Sequence, residues 1–193
     1  NIFKECHKYG IEPLVTINHF DCPMHLVKTI GGWRSRKMIH YFYKLCKVLF
    51  TRYKGLVKYW ITFNEINMIL HFPFEKGENE IQAMITCVHH QLVASAMVTK
   101  LAHEVDEKNQ IGCMLAAGSY YPETCKPEDY WQAICDNREV YMFADVQARG
   151  YYPSYALKWI KKRKANIPFE KGDQEILMKN TVDFVSFSYY SSR

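Results

Sequence analysis

Apolar residues recur along this chain in two rhythms. Short runs that are apolar or β-branched at nearly every position alternate with longer stretches in which apolar residues return every third or fourth position. Ile2, Phe3, Cys6 and Tyr9 form a stripe at helical spacing, and Gly10 supplies a helix stop. With no initiating Met before it, this reads as the tail of a helix. Pro13-Leu14-Val15-Thr16-Ile17-Asn18 predicts a buried strand. A loop over 19–33 leads to Ser35, which can cap a helix bearing Met38, Ile39, Phe42, Leu45, Cys46, Leu49 and Tyr53, and Gly55 marks its end. Tyr59-Trp60-Ile61-Thr62-Phe63 predicts the second strand, followed by a loop with Pro73 and Gly77. Ile81, Met84, Ile85, Val88, Leu92, Ala96 and Leu101 predict a helix over 80–108, roughly 40 Å long at 1.5 Å per residue. Ile111-Gly112-Cys113-Met114-Leu115-Ala116 predicts the third strand. Helices are expected near 127–138, 140–149 and 173–179, and Val182-Asp183-Phe184-Val185-Ser186-Phe187-Ser188 predicts the fourth strand.

Short, almost wholly apolar strands alternating with helices describe a parallel sheet covered on both faces. Strand-to-strand spacings of about 45 to 70 residues suit a (β/α) barrel with insertions or a doubly wound sheet. A G-x-G-x-x-G turn after a strand would favour the doubly wound sheet. None occurs, so the pattern points to the barrel: an α/β fold, a partial (β/α)8 TIM barrel.

Composition narrows this little. The 193 residues are 48% hydrophobic and 23% charged, ordinary for a globular domain. The aromatic share, 15%, fits either a ligand platform or a large aromatic core. Net charge is +5, and the densest basic run, Lys158, Lys161, Lys162, Arg163 and Lys164, reads as a solvated helix face, so no nucleic-acid partner is expected. No run approaches 18 apolar residues and no signal peptide is visible, so no membrane partner is expected. The seven cysteines form no C-x-x-C pair and mostly sit in apolar segments, which reads as reduced thiols in a cytoplasmic protein. The histidines are scattered, and neither a metal nor a cofactor is expected.

The chemistry gathers where the strands end. The first strand runs into His19-Phe20-Asp21, the second into Asn64-Glu65, the third towards Ser119-Tyr120-Tyr121 and the fourth towards Ser188-Tyr189-Tyr190. In parallel α/β sheets these carboxyl ends form the active face. Glu65 alone could be a helix-start carboxylate, but four ends switching to hydrogen-bonding residues together favour a site.

Thr62-Phe63-Asn64-Glu65 resembles the Thr-Phe-Asn-Glu signature of glycoside hydrolase family 1. His19-Phe20-Asp21-Cys22-Pro23 resembles that family's stretch after strand 3, Gly32-Trp33 and the approach from Val57 to Trp60 fit as well, and the run Asp183 to Tyr190 resembles its strand 6. The resemblance extends over all 193 residues. It implies that Glu65 is the acid/base of a retaining β-glycosidase, that Asn64 holds the sugar 2-hydroxyl, that His19 holds a hydroxyl near the 3-position, and that Tyr190 bonds the nucleophilic carboxylate. His19-Phe20, the run Ile111-Gly112-Cys113-Met114 continuing to Ser119-Tyr120-Tyr121-Pro122, and Ser188 are similar to the 6-phospho-β-glucosidase branch.

The same resemblance implies that residues 1–193 form an incomplete TIM-barrel glycosidase domain, lacking the first two and last two βα units. The length falls short of the roughly 250 residues typical of a whole barrel. The family's nucleophile lies in a Glu-Asn-Gly run, which this sequence lacks. The expected substrate is a small-molecule 6-phospho-β-glucoside, with a plain β-glucoside as the alternative. The fragment alone is expected to be inactive, or an inert sugar-binding half-barrel. Its bare sheet edges, over 14–18 and 184–188, are expected to promote homo-oligomers.

Overall fold

The structure, a computed structural model, describes residues 1–71 and 79–191. The loop expected at Pro73 and Gly77 lies outside the described residues.

Each apolar run becomes a strand: β1 Leu14–Asn18, β2 Tyr59–Phe63, β3 Gln110–Ala117 and β4 Phe184–Tyr189. The sheet order is β1-β2-β3-β4 and all three pairings are parallel. This order separates the two architectures that strand spacing left open. A doubly wound sheet reverses its strand order at a switch point, whereas a barrel adds each strand beside the last. The chain adds them in sequence and so forms a sector of a barrel wall. Leu14 and Tyr59 share register with each other, as do Tyr59 and Gln110, and Gly112 and Phe184.

Among the described residues the helices are α1 Ile2–Lys8, α2 Met24–Ile30, α3 Lys37–Arg52, α4 Glu80–Val105, α5 Pro127–Arg149, α6 Ser154–Lys162 and α7 Asp173–Lys179. The long helix over 80–108 and the short one over 173–179 form where the apolar spacing places them, although α4 stops at Val105, three residues early. Two features differ from expectation, and a third, the basic run, agrees with it. The stretch 19–33 is not all loop, because α2 and a 3₁₀ turn, Gly32–Arg34, fold within it. The helices expected over 127–138 and 140–149 are one continuous helix, α5. The basic run around Lys158 and Lys161 lies partly on α6, its lysines exposed as a solvated face.

α4 carries the core. By length and composition it could cross a membrane, yet 72% of its most apolar window is buried inside the protein. Here it is a central helix, packed against α3 and the back of the sheet. Phe42 of α3 stacks on Phe63 of β2 with ring centroids 4.7 Å apart, and Trp33 meets both rings edge-on.

Most polar groups within this core are paired, although Gln147 Oε1 is buried without a partner among the described residues. Thr62 and Ser95 share a hydrogen bond of 3.0 Å, and the Gln147 amide donates to Ser95 at 2.9 Å. A second cluster ties α7 to α3 and α4. Arg36 forks onto both carboxylate oxygens of buried Asp173, and its Nε pairs with Glu170 at 3.0 Å. His89 Nε2 lies 3.0 Å from Asp173 and His89 Nδ1 lies 3.0 Å from the Tyr152 hydroxyl. These contacts suit a neutral imidazole that donates to the carboxylate and accepts from the phenol. Burial lowers the His89 pKa against the upward pull of Asp173. Burial alone would raise the Asp173 carboxyl, but bonds from Arg36, the Glu170 amide and His89 bring it below its ordinary value. The neighbouring His90 bonds the Trp33 carbonyl at 2.8 Å. Both histidines are therefore structural.

Candidate active site

Because all four strands run parallel, their carboxyl ends open on one side. The first residue beyond β2, Asn64, donates its amide to the carbonyl of Asn18 at the end of β1, 2.9 Å away. Glu65 then turns sharply, with φ +41°, a left-handed backbone uncommon for a side-chain-bearing residue. The chain continues into a 3₁₀ turn, Ile66–His71, entered by a bond from the Met68 amide to the Glu65 carbonyl of 2.8 Å. Asn64 and Glu65 are both buried, at 7% and 6% exposure.

Burying a carboxyl group requires a partner. The Tyr190 hydroxyl, just beyond β4, donates to Glu65 Oε1 at 2.6 Å. The resemblance implied a different partner for that hydroxyl, the nucleophile of a complete site. In the present chain it engages the acid/base candidate itself, joining the ends of β2 and β4 across β3.

Beside Glu65 lies a cavity of about 240 Å³, whose lining includes Asn18, Phe20, Trp33, Phe63, Asn64 and Glu65. It combines aromatic faces with amide and carboxyl groups, the surface a sugar ring requires: apolar faces for C–H bonds and polar groups for hydroxyls. Two of the four predicted site residues, Asn64 and Glu65, line it. His19 does not. It is exposed, and its ring meets that of Phe20, which does line the cavity, with centroids 5.3 Å apart. Tyr190 lines a second, smaller cavity with Asn67, Ala116 and Tyr120, and reaches the first site through its bond to Glu65.

Sequence reasoning missed Asn67. It lies in the apolar run Ile66-Asn67-Met68-Ile69-Leu70 and is 4% exposed. Its amide makes two 2.9 Å bonds to the backbone of Ala116, donating to the carbonyl and accepting from the N–H. A polar residue inside an apolar run was the available signal. At the other end of the same region, Asn137 of α5 grips both backbone groups of Tyr120 in the same way.

Comparison with known proteins bears on the family and the fold. The family model described as Glycosyl hydrolase family 1 matches residues 1–193. The chain is 56% identical to the 6-phospho-beta-glucosidase AscB of Escherichia coli and 46% identical to the aryl-phospho-beta-D-glucosidase BglH of Bacillus subtilis. All of the chain is matched in both cases, and it spans 42% of each relative's length. Among solved structures it superimposes on a beta-glucosidase from Thermotoga maritima in complex with glucoimidazole, with a TM-score of 0.82 and 28% identity, covering 99% of this chain and 44% of that one.

Proposed function

The chain belongs to glycosyl hydrolase family 1, and from that premise we propose that its parent protein hydrolyses the β-glucosidic bond of 6-phospho-β-glucosides with retention of configuration. Glu65 protonates the departing oxygen, then removes a proton from the water that releases the sugar. Asn64 holds the sugar 2-hydroxyl, a contact that strengthens as positive charge develops at the ring. His19 takes a neighbouring hydroxyl. Tyr190 orients carboxylate oxygen at the site. The observation that carries this reading is the placement of Glu65: buried beyond β2, beside Asn64 and hydrogen-bonded across the sheet by Tyr190.

Retention needs a second carboxylate about 5–5.5 Å from the first. The sequence holds no Glu-Asn-Gly run to supply it. In our reading residues 1–193 are the middle of a barrel, with two βα units before it and two after it, and they do not turn over substrate by themselves. The phosphate preference is supported by the relatives, since the two proteins at 56% and 46% identity are phospho-glucosidases by name. The alternative, a plain β-glucosidase, is favoured by the resemblance to the Thermotoga maritima enzyme, at a lower 28% identity. The seven cysteines, all free thiols, agree with a cytoplasmic location.

The test is hydrolysis of 4-nitrophenyl β-glucoside and of its 6-phosphate by the full-length protein. We expect kcat/KM to favour the phosphate ester by at least about 100-fold, the scale of a charged contact worth about 3 kcal/mol. Equal rates, or a preference for the plain glucoside, would support the alternative.

A further inference from the structure

We propose that Asn67 is a positioning residue for the acid/base: its side-chain amide takes the place of a strand residue against Ala116 and so fixes Glu65, two positions earlier. The proposal rests on the reading of Glu65 given above.

β3 is longer than the strand beside it. The last register pair between β2 and β3 is Ile61 with Gly112, yet β3 continues to Ala117. In a parallel sheet the N–H and C=O of one residue point to the same neighbour, and successive residues alternate sides. Gln110 donates its amide to Lys58 on the β2 side, and Asp183 on the β4 side donates to the carbonyl of Ile111. By that alternation the backbone groups of Ala116 face where β2 would be had it continued. What meets them is the Asn67 amide, donor to acceptor and acceptor to donor, both at 2.9 Å. A primary amide reproduces the donor and acceptor of a peptide group, so it extends the ladder where backbone no longer can.

The consequence falls on Glu65. Asn64, immediately before it, is fastened to β1 through Asn18. Asn67, two residues after it, is fastened to β3. A segment anchored at both ends to different strands has little freedom, and the positive φ of Glu65 lies between the two anchors. An uncommon backbone conformation persists only where its surroundings over-determine it. Without Asn67 the C-terminal anchor is lost, Ala116 keeps an unpaired N–H and C=O, and the carboxyl group loses its fixed direction.

A misplaced general acid has a kinetic signature that a merely weakened fold lacks. Leaving groups that need a proton suffer, while those that depart as stable anions do not. The experiment compares wild type, Asn67→Ala and Asn67→Asp in the full-length protein, on the methyl and the 2,4-dinitrophenyl 6-phospho-β-glucosides. For Asn67→Ala we expect kcat/KM on the methyl substrate to fall about 100-fold, the scale of a 1 Å misplacement of a catalytic group. On the dinitrophenyl substrate it should fall less than about threefold, because that leaving group needs no acid. Asn67→Asp keeps the size and the acceptor for Ala116 N–H but cannot donate to the carbonyl; it should show the same split, and it stands in if the alanine variant does not fold. Equal losses on both substrates, or no loss on either, overturn the proposal. Hydrogen exchange at the Ala116 amide, expected to speed at least about tenfold in Asn67→Ala relative to Cys113, reads the tie without reference to catalysis. Unchanged exchange overturns the proposal as well. A wild-type protein inactive on every glucoside would instead remove the reading of Glu65, leaving the exchange result to decide whether Asn67 ties the strands.

Discussion

Two anchors and one phenol define Glu65: the Asn64 amide on Asn18, the Asn67 amide on Ala116, and the Tyr190 hydroxyl on the carboxylate. They differ in how much of the fold depends on them. Tyr190 is 76% exposed, so its bond to Glu65 is open to competing water, and its ring covers little apolar surface. Replacing Tyr190 with Phe should cost no more than about 1.5 kcal/mol in urea denaturation, because water can reach the exposed phenol's place on Glu65. A loss above about 1.5 kcal/mol would show that the bond supports the fold. At this scale the sequence carried Glu65 and Asn64 clearly, because both belong to a four-residue signature directly after a strand. It did not carry the partner of Tyr190, which depends on how two strand ends converge. Nor did it carry Asn67, whose importance comes from the unequal lengths of β2 and β3.

Elements differ in how far local pattern decides them. The strands were readable because runs such as Tyr59-Trp60-Ile61-Thr62-Phe63 are apolar and β-rich throughout, buried on both faces. α2 was not, since seven residues give too few turns for a period to show. α5 read as two helices because Asp136-Asn137-Arg138 interrupts its apolar stripe, but Asn137 is spent on holding Tyr120 and the helix runs on. Between β3 and β4 the contact requires a glycine: a Cβ on Gly112 would lie 2.2 Å from the Phe184 ring. Gly112→Val should therefore cost about 1–3 kcal/mol by overpacking, and Phe184→Leu in the same chain should recover part of it. An unchanged denaturation midpoint would refute that contact. The cluster that docks α7 makes a pH prediction. The unfolded chain protonates its histidine near the ordinary value of 6.5, whereas folded His89 resists, so stability is fully present above that value and declines as pH falls below it. Asp173, lowered from 3.8, adds a further loss as pH falls through its folded value. Urea midpoints should therefore drop between pH 7 and 5 and again below 4. Asp173→Asn should cost about 1–3 kcal/mol at neutral pH, because Arg36 loses its fork onto the carboxylate while keeping Glu170. A flat profile in wild type would contradict the assignment of a neutral His89.

The molecule as a whole is a four-stranded parallel wall with helices behind it. Its strand order made the barrel sector visible, and the alternation of apolar strands and helices had already predicted it. On β4, Val185, Phe187 and Tyr189 are each more than half exposed, along an outer edge of the sheet. Unpaired edges with apolar side chains recruit other strands. In solution the 193-residue chain alone should associate, giving sedimentation coefficients that rise with concentration, and a stable monomer at high concentration would contradict this. On the reading proposed above, flanking strands of the full-length protein cover these edges and Glu65 faces its partner carboxylate. The most direct test of that picture is made on the full-length Glu65→Ala variant with 2,4-dinitrophenyl 6-phospho-β-glucoside and azide, followed by NMR of the product. With the base gone, the glycosyl-enzyme should persist until azide, which needs no deprotonation, displaces it. The account predicts slow hydrolysis in buffer, marked acceleration by azide and a β-configured 6-phosphoglucosyl azide. Hydrolysis at the wild-type rate, or an azide product of α configuration, would contradict it.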